Sequence, residues 1–413
     1  MNTRRRAPAR TVDDGPSYRN AGSTIGHAPP ERAPMPDQSR PPHEPAARLD
    51  KEITLDSATR QVPRQRLPAA RVGPLAAALA FGCAAFLGAS AASAQSPTLD
   101  AITKRGELLC SGATVNSPGF AVVDAKGEWS GLDVDICKAL AVAILGDEKK
   151  MKLVPVSFVQ RFPALQGSQI DVIVKNTAWN LTRNTELGFM FSTPYLFTGN
   201  GIMVYKSLGV TKGADLDGAT ICTSAGTTLE KQTAEFFAKN NKKYKLLAFE
   251  NGNERDQAYL AKRCDAMVNG FEQLAAVRAF AASNAADHVI LPDALGKEVQ
   301  GAVVRQGDDK FLNVVDWTIF ALIEAEELGI TSANVDAKKS DADPRVQKLL
   351  GVTPGVGKKL GLRETWAYDV IKKVGNYGEI YSRNLGANSQ LKLDRRYNKP
   401  WNQGGVMYSP PFD

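Results

Sequence analysis

Two features of the chain are suited to holding a carboxylate. Gly226-Thr227-Thr228 follows a short β-prone run, Ala219 to Thr223, and precedes helix-forming residues. A turn of that kind sets free N–H groups and hydroxyls at a helix N-terminus, where an anion is favoured. A Thr in this position also serves as a plain helix cap. The second feature is Arg183, which ends the polar run Asn176-Thr177-Ala178-Trp179-Asn180-Leu181-Thr182-Arg183. Its planar guanidinium offers two parallel hydrogen bonds to a carboxylate, against the plainer role of a solvated Arg at a helix end. Acid–base chemistry has little to work with: the three His are His27, His43 and His288, and no Cys or His pair has metal-ligand spacing. No catalytic residue, metal or cofactor is therefore expected, and His288, heading an apolar strand beside Asp287, reads as a half-exposed structural histidine.

The elements that must position these groups alternate between strand and helix, which makes the fold class α/β. The expected order is a strand Leu108 to Gly112, then a ribbon turned at Asp124-Ala125-Lys126-Gly127, then a helix after Gly131-Leu132-Asp133-Val134-Asp135, capped by an acidic residue. That helix carries Cys137, Leu140, Ala141 and Ile144 on one face. Strands Lys152 to Val156 and Ile170 to Val174 lead into the polar run, and polar groups beyond a strand end lie where α/β folds hold ligands. Gly199 to Tyr205 reads as a strand leaving this half. A second alternation follows, with strands Ala219 to Thr223, Lys245 to Phe249, Ala266 to Val268 and His288 to Leu291. Val299 to Arg305 returns. A helix bearing Val314, Trp317, Ala321, Leu322, Ala325 and Leu328 comes next, then a helix expected over Trp366 to Leu385 and an irregular tail.

In this order, Phe120, Gly131-Leu132-Asp133-Val134-Asp135, Pro163-Ala164-Leu165 through Ile170-Asp171, Arg183 and Ser192-Thr193-Pro194-Tyr195 resemble the extracellular solute-binding proteins of polar amino-acid ABC importers. Leu216-Asp217-Gly218, Arg263-Cys264-Asp265, Ile323-Glu324-Ala325-Glu326 and Val374-Gly375-Asn376-Tyr377-Gly378-Glu379 narrow the resemblance to the broad-specificity L-amino-acid binding subfamily, over essentially everything after residue 97. The resemblance implies a two-lobed periplasmic-binding-protein fold of type II with two hinge crossings and an added C-terminal helical segment. Lobe 1 is expected over 95–204 and 300–413, the latter with the C-terminal extension, and lobe 2 over 205–299.

Several further expectations come with the resemblance. The ligand is an L-amino acid, the partners are the membrane permease subunits of an ABC importer, and the receptor is a monomer that takes no nucleic acid. Arg183 clamps the α-carboxylate at the spacing counted from Asp171, whereas counting back from Phe191 puts Thr182 at the family Thr. Phe120 packs on the ligand side chain. Asn176, Thr177, Asn180, Ser224, Thr227 and Thr228 complete the expected set. In the family, the strand matching Asp265 to Asn269 ends in an Asp that pairs with the α-ammonium, but Gly270 stands here, and Glu272 is the expected substitute. Rival readings on the same fold are a dehydratase of small carboxylic acids and a ligand sensor.

The first seventy residues are rich in Arg and Pro and lack apolar periodicity, so 1–70 is expected to be a disordered leader or to lie upstream of a true start past residue 60. Residues 71–94, ending Ala92-Ser93-Ala94, read as a signal peptide cleaved near Ala94, with export to the periplasm. A membrane anchor and a lipid on Cys83 fit less well. Residues 1–94 hold 13 of the 51 Lys and Arg and 8 of the 44 Asp and Glu, leaving 38 against 36, a formal net charge of +2. The nucleic-acid reading suggested by the pI of about 9.0 thus loses its support. Of the five Cys, four remain after Cys83 leaves. With two lobes they pair as Cys110 with Cys137 and Cys222 with Cys264, the alternative being buried free thiols.

Overall fold

The Ser96 hydroxyl caps the helix Pro97–Arg105 by accepting from Leu99 N at 3.1 Å and donates to the buried Asp308 at 2.6 Å. The computed structural model describes residues 96–114 and 116–413, so the expected leader 1–70 and signal peptide 71–94 lie outside the described residues. In the first lobe β1 (Leu108–Gly112) precedes a small antiparallel ribbon of β2 (Val122–Val123) and β3 (Trp129–Ser130), and pairs in parallel with β4 (Met151–Pro155). The helix Leu132–Leu145 lies between β3 and β4. Its N-cap is Gly131 rather than an acidic residue: at φ 133°, a Cβ there would collide with the carbonyl of Phe120. Asp133 and Asp135 fall instead in the first turn, where the dipole favours them. Asp135 also accepts from Arg383 Nε at 2.8 Å and Asn384 Nδ2 at 2.7 Å.

The strand expected over Ile170 to Val174 forms only isolated bridges, Cys110 to Val172 and Ile173 to Val303. The Asp171 carboxylate takes the Leu109 N–H at 2.8 Å, a donor that a regular ladder would have used.

Two long strands link the lobes. β5 (Phe189–Tyr205) leaves the first lobe, and after β6 (Ala219–Ser224), β7 (Tyr244–Phe249) and β8 (Ala266–Gly270) the chain returns along β9 (His288–Arg305), antiparallel to β5. The two strands expected at His288 to Leu291 and Val299 to Arg305 are thus one. The second-lobe sheet runs β7-β6-β8-β5-β9. Leu196 and Ala302 pack in the first-lobe core, and Ile202, Val204 and Leu291 in the second. Ile202 to Val204, assigned to lobe 1 on sequence, therefore pack with lobe 2.

The helix Asp309–Glu327 returns to the first lobe and buries Val314, Ala321, Leu322 and Ala325. The helix expected over Trp366 to Leu385 is two, Trp366–Val374 and Tyr377–Asn384. Gly375 at φ 93° ends the first, and Asn376 caps the second in a capping box with Glu379. The Cys pairs are bonded within the lobes: Cys110 with Cys137 at a Cα separation of 6.4 Å, and Cys222 with Cys264 at 5.7 Å. No helix among the described residues is long and apolar enough to cross a membrane.

Candidate functional site

A cleft of about 1040 Å³, open mouth included, lies between the lobes. Three cations line its first-lobe wall. Arg161, at the start of the helix Arg161–Gln166, is 1% exposed and rests on the rings of Phe158 and Phe162, 5.3 and 5.0 Å from their centroids. Its Nη1 donates to Lys175 O at 3.2 Å, while its buried Nε has no partner. Lys175 donates to Gly112 O at 3.2 Å and lies 5.2 Å from the Phe158 centroid. Arg183 is held by Ala178 O at 2.7 Å and also stands over Phe162, at 4.9 Å.

Packing these charges together out of water weakens each. Burial first, then Arg183, brings Arg161 down to about 9, and burial with Arg161 brings Lys175 down to about 8. Burial lowers Arg183 to about 10. Burial likewise raises Asp133 to about 7, against the opposing hydrogen bond from Tyr195 Oη at 2.9 Å and the nearby Lys175. A wall of three partly desolvated cations beside a carboxyl of weakened acidity favours an incoming anion.

The second-lobe wall is largely self-satisfied. Ser224 Oγ accepts from Arg255 at 2.7 Å, and Arg255 pairs with Asp256 at 2.6 Å. Thr227 caps the helix Thr228–Lys239 and donates to Ser224 O at 2.7 Å. Thr228 Oγ1 donates to Glu298 at 3.1 Å. Both hydroxyls are thus engaged within the protein. Five buried polar atoms of cleft residues have no partner: Arg161 Nε, Asn176 Oδ1, Asn269 Nδ2, Gln273 Oε1 and Gln300 Oε1. Leaving such atoms unpaired is costly, so each calls for a polar partner in the cleft. The lobes also touch across the mouth, where Thr114 Oγ1 donates to Asn251 Oδ1 at 3.1 Å and Arg183 Nη2 to Gly226 O at 3.4 Å.

Of the residues singled out on sequence, Arg183, Asn176, Ser224, Thr227 and Thr228 line this cleft. The others lie elsewhere. Phe120 is fully buried in the first-lobe core, its carbonyl accepting from Asp133 N at 3.1 Å at the start of the helix Leu132–Leu145. Thr177 is buried, its hydroxyl donating to Lys175 O at 2.7 Å. Asn180 caps the helix Leu181–Thr185, and Thr182 is exposed on it. Trp179 stacks on Phe191 at 6.0 Å, outside the lining. Glu272 accepts from Thr198 Oγ1, and burial raises its carboxyl. His288 is 5% exposed rather than half-exposed and bonds the Tyr259 hydroxyl at 2.9 Å.

Sequence reasoning missed Arg161, Lys175, Asp133, Gln273 and Glu298. Arg161 stands two residues before Pro163-Ala164-Leu165, and Lys175 directly before the polar run. Among the described residues no group of three or more His, Cys, Asp or Glu is placed to hold a metal ion.

The sequence profile of the bacterial extracellular solute-binding proteins, family 3, matches residues 109–333. The general L-amino acid-binding periplasmic protein AapJ of Rhizobium johnstonii is 44% identical over 79% of this chain and 96% of its own length. The glutamate/glutamine/aspartate/asparagine-binding protein BztA of Rhodobacter capsulatus is 43% identical over 80% of this chain and 98% of its own. Among solved structures, a periplasmic binding protein from Brucella ovis with glutathione bound superposes with a TM-score of 0.74 at 43% identity, over 76% of this chain and 99% of that one. A cleft between two lobes, the crossing strands and these likenesses together place the chain in the bacterial extracellular solute-binding protein family 3.

Proposed function

We propose that the protein is a periplasmic receptor that closes its lobes on an L-amino acid and delivers it to the permease of an ABC importer. The observation that carries this reading is the convergence of Arg161, Lys175, Arg183 and five unpartnered buried polar atoms on one inter-lobe cleft. The relatives' names support the ligand class, since one is called a general L-amino acid-binding protein and another a binder of glutamate, glutamine, aspartate and asparagine. Arg183 is the first candidate for the α-carboxylate, with Arg161 and Lys175 beside it. The receptor works as a monomer without nucleic acid, after cleavage near Ala94.

A second reading has its own observation. Asp133 lines the cleft with a carboxyl raised by burial to about 7, a value suited to acid–base work on a small carboxylic acid. Titration calorimetry of the purified protein against L-amino acids, glutathione and small hydroxy acids, with product analysis on the same samples, separates the two. Saturable amino-acid binding without turnover supports the receptor. Turnover of a hydroxy acid, or failure of every amino acid to bind, overturns it.

A further inference from the structure

Position 270 ends β8 in Gly, where the resemblance to the family implies an Asp for the ligand's ammonium. Glu272, the expected substitute, is committed to Thr198 outside the cleft lining. The space left by the missing side chain is filled by another residue. A Cβ on Gly270 would collide with Gln273 Oε1, and Asn200 Oδ1 lies 3.7 Å from that same point. Gln273 thus reaches back from the helix Phe271–Ala276 into the place of the absent carboxylate. Its Oε1 is buried, faces the cleft and accepts no hydrogen bond.

A second carboxyl group stands close by. Glu298, on β9, lines the cleft and accepts from Asn200 Nδ2 at 2.8 Å, Thr228 Oγ1 at 3.1 Å and Gln300 Nε2 at 3.1 Å. All three donors are neutral; Arg161 and Arg183 on the facing wall feel this carboxylate, but among the described residues no cation makes an ion pair with it. Asp256, by contrast, is spent on Arg255. Asn200 joins the two halves of the seat: it pairs with Gly270 across β5 and β8, and its amide donates to Glu298.

We propose that Glu298 and Gln273, meeting around Gly270, seat the ammonium group of the ligand, so that its counter-charge comes from the returning strand β9 rather than from the end of β8. This rests on the amino-acid reading above. The ligand then spans the cleft, its carboxylate on the Arg161, Lys175 and Arg183 wall and its ammonium on Glu298. Glu298 serves as the charge, and Gln273 as the neutral acceptor that limits how much positive charge the seat takes.

The test is calorimetry on the parent, Glu298→Gln and Gln273→Met, using a panel of L-amino acids. Each is paired with the 2-hydroxy acid in which a hydroxyl replaces the ammonium. Glu298→Gln should lower amino-acid affinity at least about thirtyfold, the loss typical of removing one partner of a buried charge pair, and leave the hydroxy acids within about threefold. Gln273→Met should act in the same selective direction by about tenfold, as for a lost hydrogen bond to a charged group. A Glu298→Gln protein with parent-like thermal unfolding that still prefers amino acids as the parent does overturns the seat and leaves the amino-acid reading standing. If Glu298→Gln does not fold, Gln273→Met decides alone: selective loss supports the seat, and unchanged selectivity overturns it. A parent that binds no amino acid overturns both readings.

Discussion

Arg161 and Arg183 share the Phe162 ring and burial lowers the pKa of both, yet their partners differ. Arg183 is already held by a carbonyl at 2.7 Å, whereas Arg161 keeps a buried N–H unpaired. Each should lose ligand when truncated. Arg183→Ala and Arg161→Met should each weaken amino-acid binding at least about thirtyfold by calorimetry, because a desolvated carboxylate would remain without its charge partner. Unchanged affinity in Arg183→Ala would shift the clamp to Arg161. Asp133 gives a prediction with a definite sign. Its folded value of about 7 is above the ordinary 3.8, so the folded state holds that proton more tightly. The resulting stability is complete below about 3.8, is lost as pH rises through about 7, and stays lost above it. Asp133→Asn removes this titration. Thermal unfolding from pH 4 to 8 should therefore show the gap between this variant and the parent widening in the variant's favour as pH rises, and a parallel pair of curves would refute it.

At the scale of elements, the break between Trp366–Val374 and Tyr377–Asn384 is more than a cap. Asn376 accepts from Glu379 N at 2.8 Å and donates to the Ile330 carbonyl at 2.8 Å, binding the second helix to the segment after Asp309–Glu327. Asn376→Ala should cost about 1 kcal/mol for the cap and about 1–3 kcal/mol more for the stranded carbonyl, read from the denaturation midpoint. A loss under about 0.5 kcal/mol would reduce Asn376 to a surface residue. The apolar face from Trp366 was legible because burial follows helical spacing, but the break was hidden, since Gly375 and Asn376 lie inside an otherwise periodic run. Ile170 to Val174 failed for the opposite reason: its apolar run resembles a strand, while the Asp171 side chain diverts the Leu109 donor. The lining of the cleft was partly legible, through Arg183 on one wall and Thr227 and Thr228 on the other. Arg161, Lys175 and Glu298 were not, because only the packing of separate segments brings them to one cleft. Phe120 misled, since an aromatic looks the same in sequence whether it faces a ligand or a core.

At the scale of the whole molecule, binding has to be coupled to the approach of two lobes that the β5 and β9 crossings join and that touch at the mouth. Gly226 is central to that approach. Its carbonyl accepts from Arg183 across the cleft, and an added Cβ would stand 3.1 Å from Val159 Cγ2. Val159 is 42% exposed, so enlarging it should cost the separate lobes little while obstructing their meeting. Ligand that binds only the closed form should stabilise the parent by about 2.7 kcal/mol at a hundredfold excess over Kd and contract it in solution. Val159→Trp should keep the ligand-free unfolding temperature of the parent, bind at least about tenfold more weakly, a loss of about 1.4 kcal/mol, and show a smaller ligand-induced fall in radius of gyration by X-ray scattering. Parent-like affinity and contraction in Val159→Trp would mean that lobe contact at Gly226 is incidental and that the ligand alone holds the cleft shut.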